Sequence, residues 1–143
     1  MYGDGRNTGH VYQGRYKSFP VESDEHFWVV ARYIERNALR ANLVLRAEEW
    51  QWSSLWRRSL GTPEECSLLS GWPIDRPANW LERVNLTDNE QELDSIRRSV
   101  HRGRPFGQPE WQKQIAKLLG MQSAYRPTGR PRKAGGDQGA AEA

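Results

Sequence analysis

Tyr33 and Asn37 stand four residues apart in a stretch, Asp24 to about Arg40, whose pattern predicts a helix. At that spacing two side chains leave the same face of a helix one turn apart. A tyrosine hydroxyl can serve as a covalent nucleophile, and an amide oxygen beside it can ligate a hard divalent cation. The same pair also fits an amphipathic helix with a core or rim tyrosine and a polar neighbour, and spacing alone leaves both readings open.

The elements that position this pair are legible in outline. His10 to Phe19 (HVYQGRYKSF) alternates β-formers with polar residues, predicting a strand that Pro20 closes. Ser23 or Asp24 can cap the helix that follows, with Glu25 in its first turn, where negative charge suits the dipole. Phe27, Val30, Ile34 and Asn37 recur at helical spacing, with Tyr33 beside Val29 and Val30. A second helical segment is expected around Glu48 and Glu49, then a short helix over Leu55 to Leu60 ended by Gly61. Gly61 to Asn79 reads as an irregular connection, with a short helix near Glu64 to Ser70. Its Trp72, Pro73, Pro77 and neighbouring Trp80 suggest that it packs onto the body. Thr87 is the candidate cap of a third helix with Leu93, Ile96 and Val100 as its stripe. A turn from His101 to Gly107 leads to a fourth helix, Pro109 to Leu119, with Gly120 placed to end it. Two helices joined by a Gly-containing turn are compatible with a helix-turn-helix and equally with any helical hairpin.

Charge is distributed unevenly. The chain carries a formal +3, but Arg97 to Lys133 holds ten basic residues and one acid, Glu110, a net of +9. Residues 1–96 hold eleven basic and fifteen acidic residues, a net of −4. Such segregation suggests a footprint for a polyanion, and the excess of Arg over Lys, 17 to 4, favours phosphates and base edges. The longest apolar run, Phe27 to Ala31, is far short of the roughly 20 residues that a bilayer requires. No signal peptide is visible, so a cytoplasmic, membrane-free protein is expected. Cys66 is single and has no neighbours at zinc-finger spacing.

The segments YQGRYKSFPV (Tyr12 to Val21), RYIERNALRANLV (Arg32 to Val44) and WQWSS (Trp50 to Ser54) resemble the REP-associated tyrosine transposases, within the single-strand HUH superfamily. So do WPIDRPANWLERVN (Trp72 to Asn85), RRSVHRGRPFG (Arg97 to Gly107) and GRPRK (Gly129 to Lys133), in the same order along nearly the whole chain. The resemblance implies that Tyr33 attacks a DNA phosphodiester and becomes 5′-phosphotyrosyl-linked. It further implies that Asn37 is the third ligand of a divalent metal ion, Mg or Mn, otherwise held by two histidines of an H-x-H motif. The implied substrate is single-stranded DNA folded into hairpin repeats, and the implied setting is bacterial and nucleoid-associated. No H-x-H is present, for His10, His26 and His101 stand singly and are expected at surface or rim positions. The matching motif would precede Met1, so the chain is expected to be the C-terminal portion of such an enzyme. The expected fold class is a truncated α/β (α+β) fold whose surviving part is mainly α-helical with one or two strands. Its expected parts are residues 1–60 with the tyrosine helix, 61–125 as a helical DNA-binding extension, and 126–143 as a basic tail disordered when free. On this reading cleavage by the chain alone is impaired, and the alternative is a non-catalytic DNA-binding fragment or regulator.

Several cations are candidates for DNA contact. Arg15 lies at a predicted strand end, where a phosphate contact and simple exposure are both reasonable. Arg36 and Arg40 share the helix of Tyr33 and can line a DNA path or pair with acids such as Glu35. GRPRK resembles an AT-hook core, with Arg130 and Arg132 able to enter a narrow minor groove and Lys133 beside them. Arg102 and Arg104 repeat the theme in RGRP. Trp50, Trp52 and Trp56 can stack on bases, but their clustering with Leu55 favours core packing.

Overall fold

The computed structural model describes residues 17–126, which are mainly helical. Seven α-helices follow in order: α1 (Asp24–Glu35), α2 (Asn37–Arg40), α3 (Ser54–Leu60), α4 (Pro63–Ser67), α5 (Trp80–Asn85), α6 (Glu90–Arg102) and α7 (Pro109–Leu118). Among the described residues there is no strand. Only an isolated parallel bridge joins Val21 to Phe106. Residues 10–16 of the expected strand lie outside the described residues, and 17–20 adopt no regular structure. The basic tail beyond Arg126 also lies outside them.

Helix α1 begins where its first turn satisfies the exposed amides. Ser23 Oγ accepts from the His26 amide, with Asp24 and Glu25 in the first turn. The expected helix to Arg40 is interrupted at Arg36, which separates α1 from α2. The chain then leaves α2 through Asn42 at φ 56°, with the Leu43 amide on Ala38 O and the Asn42 amide on Leu39 O. This is the paired closure of a left-handed helix end, and asparagine tolerates it better than most side chains.

Helix α1 buries two faces, and this sets the architecture. One face, through Trp28 and Ala31, packs on a core of Ala47, Leu55, Trp80 and Val84. The other, through Val29, Val30 and Tyr33, packs on Leu93, Ile96 and Phe106. Residues on both sides of position 60 share the first core. Ile34, expected on the buried stripe, falls between the two faces and is 58% exposed. Trp52 is also outside, at 71% exposure, while Leu55 beside it is fully buried, so core packing of that tryptophan cluster does not extend to Trp52.

Two buried carboxylates at the first core are matched, whereas the Trp28 indole N–H beside it has no partner among the described residues. Glu35 is buried, with one carboxylate oxygen accepting from Trp80 Nε1 at 2.7 Å and the other from Ser54 Oγ at 3.0 Å. The segment around Glu48 and Glu49 is a single 3-10 turn, Ala47–Glu49, in place of the expected helix. Two long-range bonds and one local pair shape it: Asn85 donates to Glu48 at 2.8 Å, the Ala47 amide donates to Asn85 Oδ1 at 3.0 Å, and Arg46 pairs with Glu48 two residues on. The cap of α6 is Asn89, whose side chain accepts from the amides of Gln91 and Glu92, and not Thr87. Gly103 then ends α6 at φ 65°, a conformation that glycine adopts without steric cost. Helix α7 ends at Leu118 with Leu119 as its C-cap, one residue before the expected end, and Gly120 follows in the left-handed conformation at φ 67°.

Burial raises the Glu48 carboxyl, but the Asn85 amide, the backbone and Arg46 outweigh it and leave it below its ordinary value of 4.5. A carboxyl depressed in the folded state contributes stability above its unfolded value and loses it as pH falls. Stability is therefore expected to decline as pH drops below about 4.5. In Glu48→Gln that decline is shallower when urea midpoints are measured across the acid range.

Candidate functional site

The tyrosine helix is fastened by three arginines at four-residue intervals. Arg32 donates Nε to Arg83 O at 2.7 Å and Nη2 to Leu86 O and Thr87 O at 2.7 and 2.9 Å. Arg36 donates Nη1 to Val84 O at 2.6 Å. These carbonyls belong to the C-terminal end of α5 and the turn after it, where helical carbonyls lack partners of their own. Asp88 lies among all three guanidinium groups, 3.7 Å from Arg32, 3.1 Å from Arg36 and 3.2 Å from Arg40, and Glu92 is 3.4 Å from Arg32. The Arg36 Nε contact is an ion pair by distance but is not aligned as a hydrogen bond.

Tyr33 and Asn37 are brought together here through Arg40. Its guanidinium lies 4.4 Å from the centre of the Tyr33 ring, and its Nη1 donates to Asn37 Oδ1 at 2.8 Å. Its Nη2 donates to the Tyr33 carbonyl at 3.1 Å. Tyr33 is half-buried against the Leu93, Ile96 and Phe106 core, whereas Asn37 is exposed. The void beside Tyr33 is about 10 Å³, room for one water at most. A phosphodiester therefore does not fit into that void.

The residues around Asn37 do not fit a divalent cation as they stand. Its side-chain oxygen already accepts from a guanidinium, and the neighbouring Asp88 carboxylate is shared among three arginines. Among the described residues, no three His, Cys, Asp or Glu side chains gather as a ligand set. His26 is half-buried, 2.8 Å from Ser23 Oγ through Nδ1 and edge-on to Phe106, and His101 is exposed.

The candidate DNA-contacting residues divide by location. Arg36 is inward: its side chain is 10% exposed and faces Asp88 and Val84, which gives it no open face for a phosphate. Arg102 is exposed near the end of α6 and donates to Arg126 O at 3.1 Å. Arg104 is half-buried, stacked 4.6 Å over the Tyr125 ring and donating Nε to Ala124 O at 2.9 Å. Arg15, Arg130, Arg132 and Lys133 lie outside the described residues. A shallow groove on α6 is lined by Asp94, Arg97, Arg98, His101 and Arg102. Arg97 reaches Asp94 at 3.8 Å, but no ion pair among the described residues uses Arg98, Arg102, Arg104, Lys113 or Lys117.

Sequence reasoning missed Arg32 and Asp88 as members of the tyrosine cluster. The i, i+4, i+8 repeat of Arg32, Arg36 and Arg40 was the available signal, since such a row faces one partner surface. No helix of the described residues is long and apolar enough to cross a membrane. Comparison with protein-family models, curated proteins and solved structures finds no match.

Removing the shared carboxylate leaves three guanidinium groups facing one another. Asp88→Ala is expected to cost on the order of 3 kcal/mol of stability, read as a lower urea midpoint. Unchanged stability would show that the cluster is dispensable.

Proposed function

We propose that the chain is a DNA-binding protein of the tyrosine-transposase type, holding DNA on the solvent face of α6 and the turn that follows. The observation that carries this reading is the run of Arg98, His101 and Arg102 on an open helical face, without carboxylate partners among the described residues. A surface cation released from acid pairing is available to replace the counterions of a phosphate backbone. Sequence agrees, because the same half of the chain holds the +9 excess.

Strand cleavage belongs to the same proposal. The Tyr33 phenol oxygen attacks a backbone phosphorus, the bond from phosphorus to the 3′ oxygen breaks, and the phenolic proton is lost as the 3′ hydroxyl forms. The product is a 5′-phosphotyrosine whose ester bond conserves the energy for rejoining. A purely DNA-binding role is the second reading, favoured by the Arg40 guanidinium lying on the Tyr33 ring.

Binding to a fluorescent hairpin oligonucleotide is expected to weaken linearly in log salt. Arg102→Ala should lower that slope by about 0.7 to 0.9, as for the loss of one phosphate contact. A salt-independent affinity would sink the DNA reading. Incubation of the hairpin with the protein separates the two roles. Under the cleavage reading, Tyr33→Phe loses nicking and the covalent adduct by on the order of 10³-fold or more. Nicking that survives the change removes Tyr33 as nucleophile, and binding without nicking in the unaltered protein favours the second reading.

A further inference from the structure

A cleft of about 510 Å³ lies between α1, α5 and the start of α6, a volume within the range of about 300 to 1,000 Å³ typical of small-molecule sites. Its apolar wall includes Trp28, Val29 and Leu86, the last 62% exposed. Its charged groups are Glu25, Glu92, Arg32 and Arg83, two acids against two arginines. A lining without net charge favours neither a bare anion nor a bare cation. It suits a neutral group that carries both donors and acceptors.

Part of this lining is already engaged. Arg32 gives Nε and Nη2 to three carbonyls and Nη1 to Glu92, and the Trp80 indole donates to Glu35. Three groups keep capacity. The Arg83 side chain is exposed, enters no ion pair among the described residues, and lies 5.8 Å from the centre of the Trp28 ring. Half-buried Glu92 meets Arg32 through Oε2 alone, which leaves Oε1 able to accept. The third group is the Trp28 indole N–H, which is buried and has no acceptor among the described residues. Buried donors in folded proteins are nearly all satisfied, because an unpaired one bears the full cost of its lost hydration. That donor is the independent sign of a ligand, on a side chain that borders the cleft.

We propose that this cleft holds one nucleobase. A ring nitrogen accepts from the Trp28 indole N–H, an exocyclic amino group donates to Glu92 Oε1, and the base plane lies against the Arg83 guanidinium and Leu86. Adenine and cytosine carry an amino group beside a ring acceptor, whereas thymine has no amino group and would turn a carbonyl oxygen toward the carboxylate. A free nucleoside and an unpaired base of single-stranded DNA present the same edge. The DNA source rests on the function proposed above, and it gives that reading a preference for unpaired bases, since Watson–Crick pairing uses the same amino group.

The test uses the full ¹⁵N-labelled chain, titrated separately with deoxyadenosine, thymidine, a short oligo-dA and a short oligo-dT. The Trp28 indole resonance is identified by its loss in Trp28→Phe. It is expected to shift saturably with deoxyadenosine and oligo-dA, and about tenfold more weakly with the thymine probes. Arg83→Ala should weaken deoxyadenosine about threefold, and Glu92→Gln should cut the preference for adenine to about threefold. Arg83 is exposed, so its result stands if Glu92→Gln unfolds. Shifts with deoxyadenosine but not oligo-dA support the cleft and overturn its DNA source; shifts with oligo-dA alone support both. Equal affinity for adenine and thymine, or shifts that neither variant alters, overturns the cleft. Oligonucleotide binding with the Trp28 indole unmoved by any probe overturns the cleft and spares the DNA reading. No binding of any probe overturns both.

Discussion

Asp88 is held among the guanidinium groups of Arg32, Arg36 and Arg40, and the placement of the tyrosine helix follows from that arrangement. With side-chain exposures of 16, 10 and 19%, the arginines sit where water screens weakly. Leaving any of them unpaired there would be expensive. Carbonyls at the end of α5 take further donors from Arg32 and Arg36, so one row of cations closes a helix end and neutralises the start of the next segment. Helix α5 has only six residues, too few to be stable by local bonds alone. Its existence depends on this row and on the Trp80 indole bonded to Glu35.

The same row decides how Tyr33 is presented. Arg40 is tied to Asp88 on one side, and it reaches back over the Tyr33 ring and onto Asn37 on the other. Tyrosine and asparagine therefore do not form an open pair on one face. They are two ends of a guanidinium clasp, with the ring turned toward α6 and the amide turned outward. The Asn37 side-chain oxygen is already bound to a cation, and that cation is supplied by the chain itself.

What was legible in the sequence was local. Ser23 with Asp24 and Glu25 announces the start of α1, and the Leu93, Ile96 and Val100 stripe announces α6, because caps and periodicity act within a few residues. What was not legible depends on distant partners. Thr87 has the form of a cap, but its carbonyl serves Arg32 while Asn89 closes the helix. Ala47, Glu48 and Glu49 favour a helix by type, yet the distant Asn85 bonds to both Ala47 and Glu48 and holds them in a single 3-10 turn. Ile34 has the right spacing for burial, but a helix wedged between two cores leaves a third face outside. In the candidate site, the charge excess after Arg97 was visible, whereas the inward turn of Arg36 was not, since a sequence gives the charge of an arginine and not its acceptor.

Helix α6 is where these two parts meet. Its first turns, through Glu92 and Leu93, hold Arg32 and border Tyr33; its later turns carry Arg98, His101 and Arg102 into solvent. A thirteen-residue helix is about 20 Å long, enough to carry these two surfaces at its two ends. The clasp on Tyr33 and the basic face thus share one helix: the residues against which the tyrosine packs and those that carry the exposed cations lie on α6.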